Sequence, residues 1–190
     1  MSLSEFARNA AAKGRKVILT FDDGCAAVLE NGLPVLQQHG FGAIQFLVAG
    51  LPGGRNEWDV RKGDVAERLM TVEEVRRWLA AGMEVGSHSM THRNLRHLEE
   101  SEAREEIAGS KKKLEDTYAV PIRHFSYPYG SWNERVRDLV QEAGYETACT
   151  MDFGVNGPET PPTALKRIFP LSSAQLLRKA RHRVLRKFSM

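Results

Sequence analysis

Short apolar runs alternate with amphipathic stretches from Lys16 to Phe169, and the two kinds of segment carry different periods. Lys16 to Phe21, Ala43 to Val48, Met83 to Gly86, Ile122 to Ser126, Tyr145 to Thr150 and Ala164 to Phe169 read as strands, since each is brief and bounded by turn residues. Helical patterns fill the gaps. Ala26 to His39 places Val28, Leu29, Leu33 and Leu36 on one side, and Pro34 predicts a kink or a fresh start within it. Thr71-Val72-Glu73-Glu74 is a capping box, and its helix runs to Gly82. Ser101 to Tyr118 reads as a long charged helix with Ala103, Ile107 and Leu114 near one face. Ser131-Trp132-Asn133-Glu134 is a second capping box, with a helix running to Gly144. A last helix is predicted from about Ser173 to Phe188. Residues 50–70 read as a long loop, rich in glycine and charge, that contains Asn56, Trp58 and Asp59.

Three of the helices stop at a glycine that leads directly into a strand: Gly40, Gly82 and Gly144. That is the connection chemistry of repeated βα units, and it predicts a mainly parallel sheet in an α/β fold. A closed or nearly closed barrel fits this pattern, and so does an open doubly wound sheet. With no internal repeat and no low-complexity linker, residues 1–190 read as one domain.

Composition adds little except through its distribution. A chain of 190 residues, 42% hydrophobic and 27% charged, is ordinary for a globular protein with a sizeable core. No apolar run is long enough to span a bilayer. Residues 1–16 lack the apolar centre of an export signal, which reads at face value as cytoplasmic but does not settle the compartment. Cys25 and Cys149 are too few for a disulfide framework. The net charge of +3 is misleading. Eight of the 27 basic residues lie from Lys166 onward, where there is no Asp or Glu, so residues 1–165 carry 19 basic and 24 acidic residues. The main body is therefore acidic, and no nucleic-acid partner is expected. The basic stretch 175–188 reads as a helix packing Leu177, Ala180, Val184 and Phe188 on the body.

The candidate chemistry collects where strands end. Asp22-Asp23-Gly24 follows the first strand, and two adjacent carboxylates repel unless a cation or a proton intervenes. Ser87-His88-Ser89-Met90-Thr91-His92 follows the third, with two histidines four residues apart. Tyr127-Pro128-Tyr129-Gly130 follows the fourth, Asp152 the fifth, and Arg167 lies on the sixth. In parallel barrels reactive residues sit just beyond the C-terminal ends of strands. Two imidazoles and a carboxylate with positions left open for water make a catalytic zinc-type site.

Thr20-Phe21-Asp22-Asp23-Gly24, Ser87 to His92, and Phe125-Ser126-Tyr127-Pro128-Tyr129-Gly130 together resemble the first three motifs of the polysaccharide deacetylases, the NodB-homology or carbohydrate esterase 4 family. The resemblance runs from about Lys16 to Phe169. It implies a distorted (β/α)7 barrel, a divalent metal, and hydrolysis of acetyl groups from an acetylated glycan or amino sugar. By that resemblance Asp22 is the general base, Asp23, His88 and His92 are the metal ligands, and the Tyr129 amide helps hold the oxyanion. Zinc is the expected ion, with cobalt, nickel or manganese as alternatives. Pro128, Tyr129 and Trp58 are expected at the substrate.

Two departures stand out. Many members carry an arginine where this chain has Ser126, and Arg167 on the last strand is the candidate to orient Asp22 in its place. Many also carry a C-terminal Leu-x-x-His that protonates the leaving group. No such motif is present, and His182 reads as a surface residue. A cyclic amide or imide hydrolase and a non-catalytic carbohydrate-binding relative are the competing functions. A signalling receiver domain also begins with paired aspartates, but it needs a further aspartate where this chain has Val48-Ala49-Gly50.

Overall fold

The structure is a computed structural model, and it describes residues 16–60 and 65–170 together with Leu3 and Glu5. The helix expected from Ser173 to Phe188, with His182, and most of residues 1–16 lie outside the described residues. Six strands form one sheet: β1 Leu19–Phe21, β2 Ala43–Leu47, β3 Glu84–Ser87, β4 His124–Ser126, β5 Thr147–Phe153 and β6 Leu165–Arg167. Every neighbouring pair is parallel, and the spatial order is the chain order, β1 to β6. That order decides between the two architectures. A doubly wound sheet must reverse direction at a switch point, whereas this one winds one way throughout and curls as a barrel does. All six strand C-termini therefore open toward the same rim.

Burial follows from the curl. All five residues of β2 are buried, as expected for a parallel strand covered on both faces. Ile44 and Phe46 point to the strand-lined side, where they meet Cys149, Leu165 and Leu3. The second core lies between sheet and helices and includes Trp78, Ile107, Leu114, Phe125, Leu139 and Val140. Each large side chain sealed there contributes roughly 1.5–3 kcal/mol. Trp78, fully buried, also needs a partner for its indole, and its Nε1 donates to the Glu84 carbonyl at 2.8 Å.

Among the described residues the α-helices of at least one full turn are α1 Leu33–Gln38, α2 Glu57–Val60, α3 Val72–Ala80, α4 Glu100–Arg104, α5 Ser110–Tyr118 and α6 Glu134–Glu142. The Thr71 capping box is present in both directions. The second start lies elsewhere than Ser131: Asn133 caps α6 by accepting the Val136 amide at 2.9 Å. Ser131 belongs to the preceding turn, where its amide reaches the Pro128 carbonyl. Pro34 falls in the first turn of α1, just after a π turn at Val28–Gly32, so the expected break is a fresh start. A second π turn, Glu105–Gly109, joins α4 to α5. The loop expected over 50–70 holds the short helix α2 and two isolated bridges, Cys25 with Leu69 and Arg55 with Arg68. Among the described residues no helix is long and apolar enough to cross a membrane.

Candidate active site

The rim gathers side chains from β1, β3, β4, β6 and α2. After β1 the chain turns back within two residues. Asp23 has φ 70° and Gly24 φ 85°, and the Gly24 amide closes the turn on the Asp22 carbonyl at 2.9 Å. A side chain at Gly24 would be strained by that φ and would press on Leu47 at 3.1 Å, so this turn needs its glycine. The result points the two carboxylates to different partners.

Asp23 faces the histidines. Its Oδ1 lies 3.4 Å from His88 Nε2 and 3.3 Å from His92 Nε2. Neither contact has hydrogen-bond geometry, and Oδ1 is buried without a partner. The three donor atoms lie within 4.8 Å of one another. Ligand atoms about 2.0–2.1 Å from a tetrahedral ion stand about 3.3 Å apart. One carboxylate and two imidazoles at this spacing, with an orphaned buried oxygen among them, fit a divalent cation.

The two imidazoles are held differently. His88 presents Nδ1 to the Ser126 carbonyl at 2.7 Å, an arrangement that leaves the Nε2 lone pair for the cluster. His92 Nδ1 is buried with no hydrogen-bond partner. Its ring is fixed by aromatic packing instead. Trp58 of α2 stacks on it with centroids 4.1 Å apart and planes 17° apart, and Tyr129 meets it edge-on at 4.6 Å. Trp58, expected at the substrate, thus gives one face to His92. The α2 helix that carries it is tied down by buried Asn56, which donates to Asp59 and accepts the Glu67 amide.

Asp22 faces the other way, toward β6. Arg167 forks onto it, Nη1 to Oδ1 and Nη2 to Oδ2, both at 2.8 Å, while Nε donates to the Thr150 carbonyl at 2.8 Å. Ser126, in the position where the resemblance called for arginine, reaches Asp22 with its hydroxyl at 3.4 Å. The cation therefore comes from the last strand.

Electrostatics separates the two aspartates from ordinary surface carboxylates. Burial pushes the Asp22 carboxyl up, but His88 and the Arg167 fork outweigh it and leave it below its usual 3.8. Burial also opposes ionisation of Asp23, and the two histidines overcome it by more, holding that carboxyl far down. Burial depresses both imidazoles. Asp22 and Asp23 reverse this for His88, whereas His92, next to His88, stays below its ordinary value. Cys25 is not a nucleophile here: burial, helped by Asp23, pushes its thiol up to about 12.

Among the described residues, four of the five non-glycine residues with positive φ lie on these loops: Asp23, Ser89, His92 and Tyr129. Such backbone costs of order 1–3 kcal/mol per residue and persists only where the surroundings over-determine it. Tyr129 sits at φ 59° in the turn Pro128–Gly130, with Pro128 buried beneath it. Asp152 is not brought into the cluster; it is exposed and accepts from Trp132 Nε1 at 3.4 Å.

One residue of this architecture is missing from the sequence reading. Glu106, only 5% exposed, accepts the amides of Met90 and Thr91 in the histidine loop. It lies on the stripe of Ala103, Ile107, Ser110 and Leu114, all buried. A glutamate on that apolar stripe was the available signal.

The polysaccharide deacetylase family model matches residues 9–148. Over 136 residues the chain is 31% identical to a chitooligosaccharide deacetylase of Bradyrhizobium sp. (strain ANU 289), covering 68% of this chain and 53% of that protein. The chain spans about half the length of the curated relatives it matches. Among solved structures, the Streptococcus pyogenes deacetylase PplD, in complex with acetate, superposes with a TM-score of 0.76 at 20% identity, over 92% of this chain and 76% of that one. BC0361, a polysaccharide deacetylase from Bacillus cereus, gives 0.64 at 26% identity, over 80% of this chain and 46% of that one. With the family model spanning most of the chain, and the three motifs converging on one rim of a curled parallel sheet, this chain belongs to the polysaccharide deacetylase family.

Proposed function

We propose that this protein is a divalent-metal-dependent hydrolase that removes acetyl groups, N-acetyl in particular, from an amino sugar or glycan. The observation that carries the reading is the division of labour between adjacent aspartates: Asp23 turned to two histidines, Asp22 to an arginine. Asp23, His88 and His92 would hold the ion, with zinc the expected metal. Such an ion polarises a carbonyl and lowers the pKa of water toward ~7.

The chain's own groups do the rest. Asp22 accepts the proton as water adds to the acetyl carbonyl, and the Arg167 fork keeps its carboxylate ionised and aimed. The Tyr129 amide donates to the developing oxyanion, and one such donor contributes about 3 kcal/mol. Asp22 then carries the proton back to the leaving nitrogen, which needs no C-terminal histidine. Tyr129, exposed above the buried Pro128, and Trp58 border the sugar. The names of the relatives support acetylated glycans as substrates. The complete ligand set speaks against a role restricted to carbohydrate binding.

The test is acetate release from a panel of acetylated glycans after chelation and after zinc is restored. Activity should disappear and return. Asp22→Asn should keep zinc and lose most turnover, while Asp23→Asn should bind zinc weakly. Acetate release indifferent to chelation, or zinc loss in Asp22→Asn alone, would overturn the assignment.

A further inference from the structure

Both histidines sit on one tight loop, and that loop has almost no freedom. Going along it, the His88 amide donates to the Leu47 carbonyl at 2.8 Å. The Ser89 carbonyl accepts from Ala49 at 3.0 Å and the Met90 carbonyl from Gly50 at 2.8 Å. The His92 amide donates to the Ser89 hydroxyl at 3.0 Å. These contacts bind the loop to the end of β2 and to itself. They leave the amides of Met90 and Thr91, on the helix side, to be satisfied. Glu106 satisfies both: its Oε2 accepts Met90 N at 3.0 Å and Thr91 N at 2.8 Å, and its Oε1 accepts the Thr91 hydroxyl.

The arrangement is costly to build. A carboxylate that is nearly sealed from water carries a desolvation penalty of several kcal/mol. It is presented from the π turn Glu105–Gly109, a rare winding that recurs at functional sites. The residues on either side of the two amides it binds, Ser89 at φ 66° and His92 at φ 62°, are in the left-handed region without being glycine. His92 in addition has no hydrogen bond at Nδ1 to fix its ring. Its direction therefore depends on its backbone being held and on the ring stacking of Trp58.

We propose that Glu106 is a positioning residue for the metal site: by clamping the Met90 and Thr91 amides it holds the left-handed turn that aims His92 Nε2 at Asp23. This rests on the reading of Asp23, His88 and His92 as ligands. The rival account makes Glu106 a staple between helix and loop, important for stability and neutral toward the ion.

Zinc affinity of the chelator-stripped protein separates the two, measured by competition with a chromophoric chelator, with thermal unfolding of the metal-free protein alongside. Glu106→Ala should weaken zinc binding about 10- to 100-fold, the loss typical when a group supporting a ligand is removed. Glu106→Gln should bind zinc nearly as the parent does, because its amide oxygen still accepts the two N–H groups and its NH2 meets the Thr91 hydroxyl. Should Glu106→Ala not fold, Thr91→Val carries the test; it removes only the hydroxyl contact and should weaken zinc binding several-fold, by about the worth of one hydrogen bond. The inference falls if the metal-free unfolding temperature drops while zinc affinity stays at the parent value, or if Glu106→Gln binds as poorly as Glu106→Ala. His92→Ala serves as the reference. If it retains parental affinity, the ligand assignment itself is overturned; if it loses zinc while Glu106→Ala does not, only the role of Glu106 is.

Discussion

Removing Arg167 should damage turnover without touching the metal ligands. The guanidinium makes three bonds of 2.8 Å, two to Asp22 and one to the Thr150 carbonyl. Its side chain is 10% exposed and that of Asp22 27%, so the pair is largely withdrawn from water. Breaking such a pair by deleting one partner costs about 3–5 kcal/mol in stability. With Asp22 partly solvated the low end applies, about 3 kcal/mol, or roughly 6–12 °C in melting temperature for a chain of this size. The kinetic effect is separate. Asp22 keeps its hydroxyl contact from Ser126 but loses the fork that fixes its plane, and a misplaced catalytic group costs ~10²-fold in rate, about 2.7 kcal/mol. Arg167→Lys retains charge but cannot fork and also reach Thr150, so it should fall between, about tenfold down. The sign of the pH effect follows from the same contact. Arg167 helps hold the Asp22 carboxyl below 3.8, so its loss raises that group. The acidic limb of the rate profile should then move to higher pH. The assay is acetate release below the variant's melting temperature, across pH, with zinc content measured in parallel. Full turnover in Arg167→Ala, or an unmoved acidic limb, would refute the reasoning.

The remaining predictions use other parts of the molecule. Trp58→Ala should weaken zinc binding by about 2- to 12-fold, the equivalent of a 0.5–1.5 kcal/mol aromatic pair, and Trp58→Phe should recover most of it; equal affinity in all three proteins would refute the stacking role. Burial pushes the His124 imidazole down to about 4 from 6.5. Its contribution to stability is complete above pH 6.5 and is lost as pH falls toward 4, a change of about 3 kcal/mol. Urea unfolding at several pH values should show that loss in the parent and a flatter dependence in His124→Gln; identical slopes would refute it. Gly130→Ala sets a Cβ 2.4 Å from Met151 Cβ at φ +60°; it should lower the melting temperature, cost about 1–3 kcal/mol, and reduce turnover through the adjoining Tyr129. A parental melting curve would show that the turn has more room than these distances allow.

The strand-end chemistry was legible because it is local. Asp22-Asp23-Gly24 announces a sharp turn after a strand, and the Thr71 box announces a helix, each through residues only a few positions apart. The architecture needed more. Glycine-terminated helices predict parallel strands, but only the pairing order excludes a doubly wound sheet. Ser131 reads as the cap of its box, but the preceding Pro128–Gly130 turn takes up Ser131 and Asn133 caps the helix instead. The π turns leave no mark in composition. Glu106 lies on the apolar stripe of a helix otherwise rich in charge, a sign that it is buried, but its partners are decided by the loop that packs over it. Trp58 was visible as an aromatic in a loop; that it would stack on His92 depends on a four-residue helix too short for any periodic pattern to show.

The ion pair between the turn after β1 and the edge strand β6 has a consequence for how the protein comes into being. Asp22 and Arg167 are 145 positions apart, at opposite edges of the sheet, so their ion pair joins the two ends of the curl. Contacts of such long sequence separation are slow to form, because much of the chain must be ordered first. During synthesis at about 5–20 residues per second, Asp22 leaves the ribosome several seconds before Arg167 exists. Later in that interval, once residues 84–92 have emerged, the histidine loop after β3 can already meet Asp23 while Asp22 still lacks its cation. On the roles proposed above, a nascent chain assembles its three ligands before it gains the arginine that aims its base.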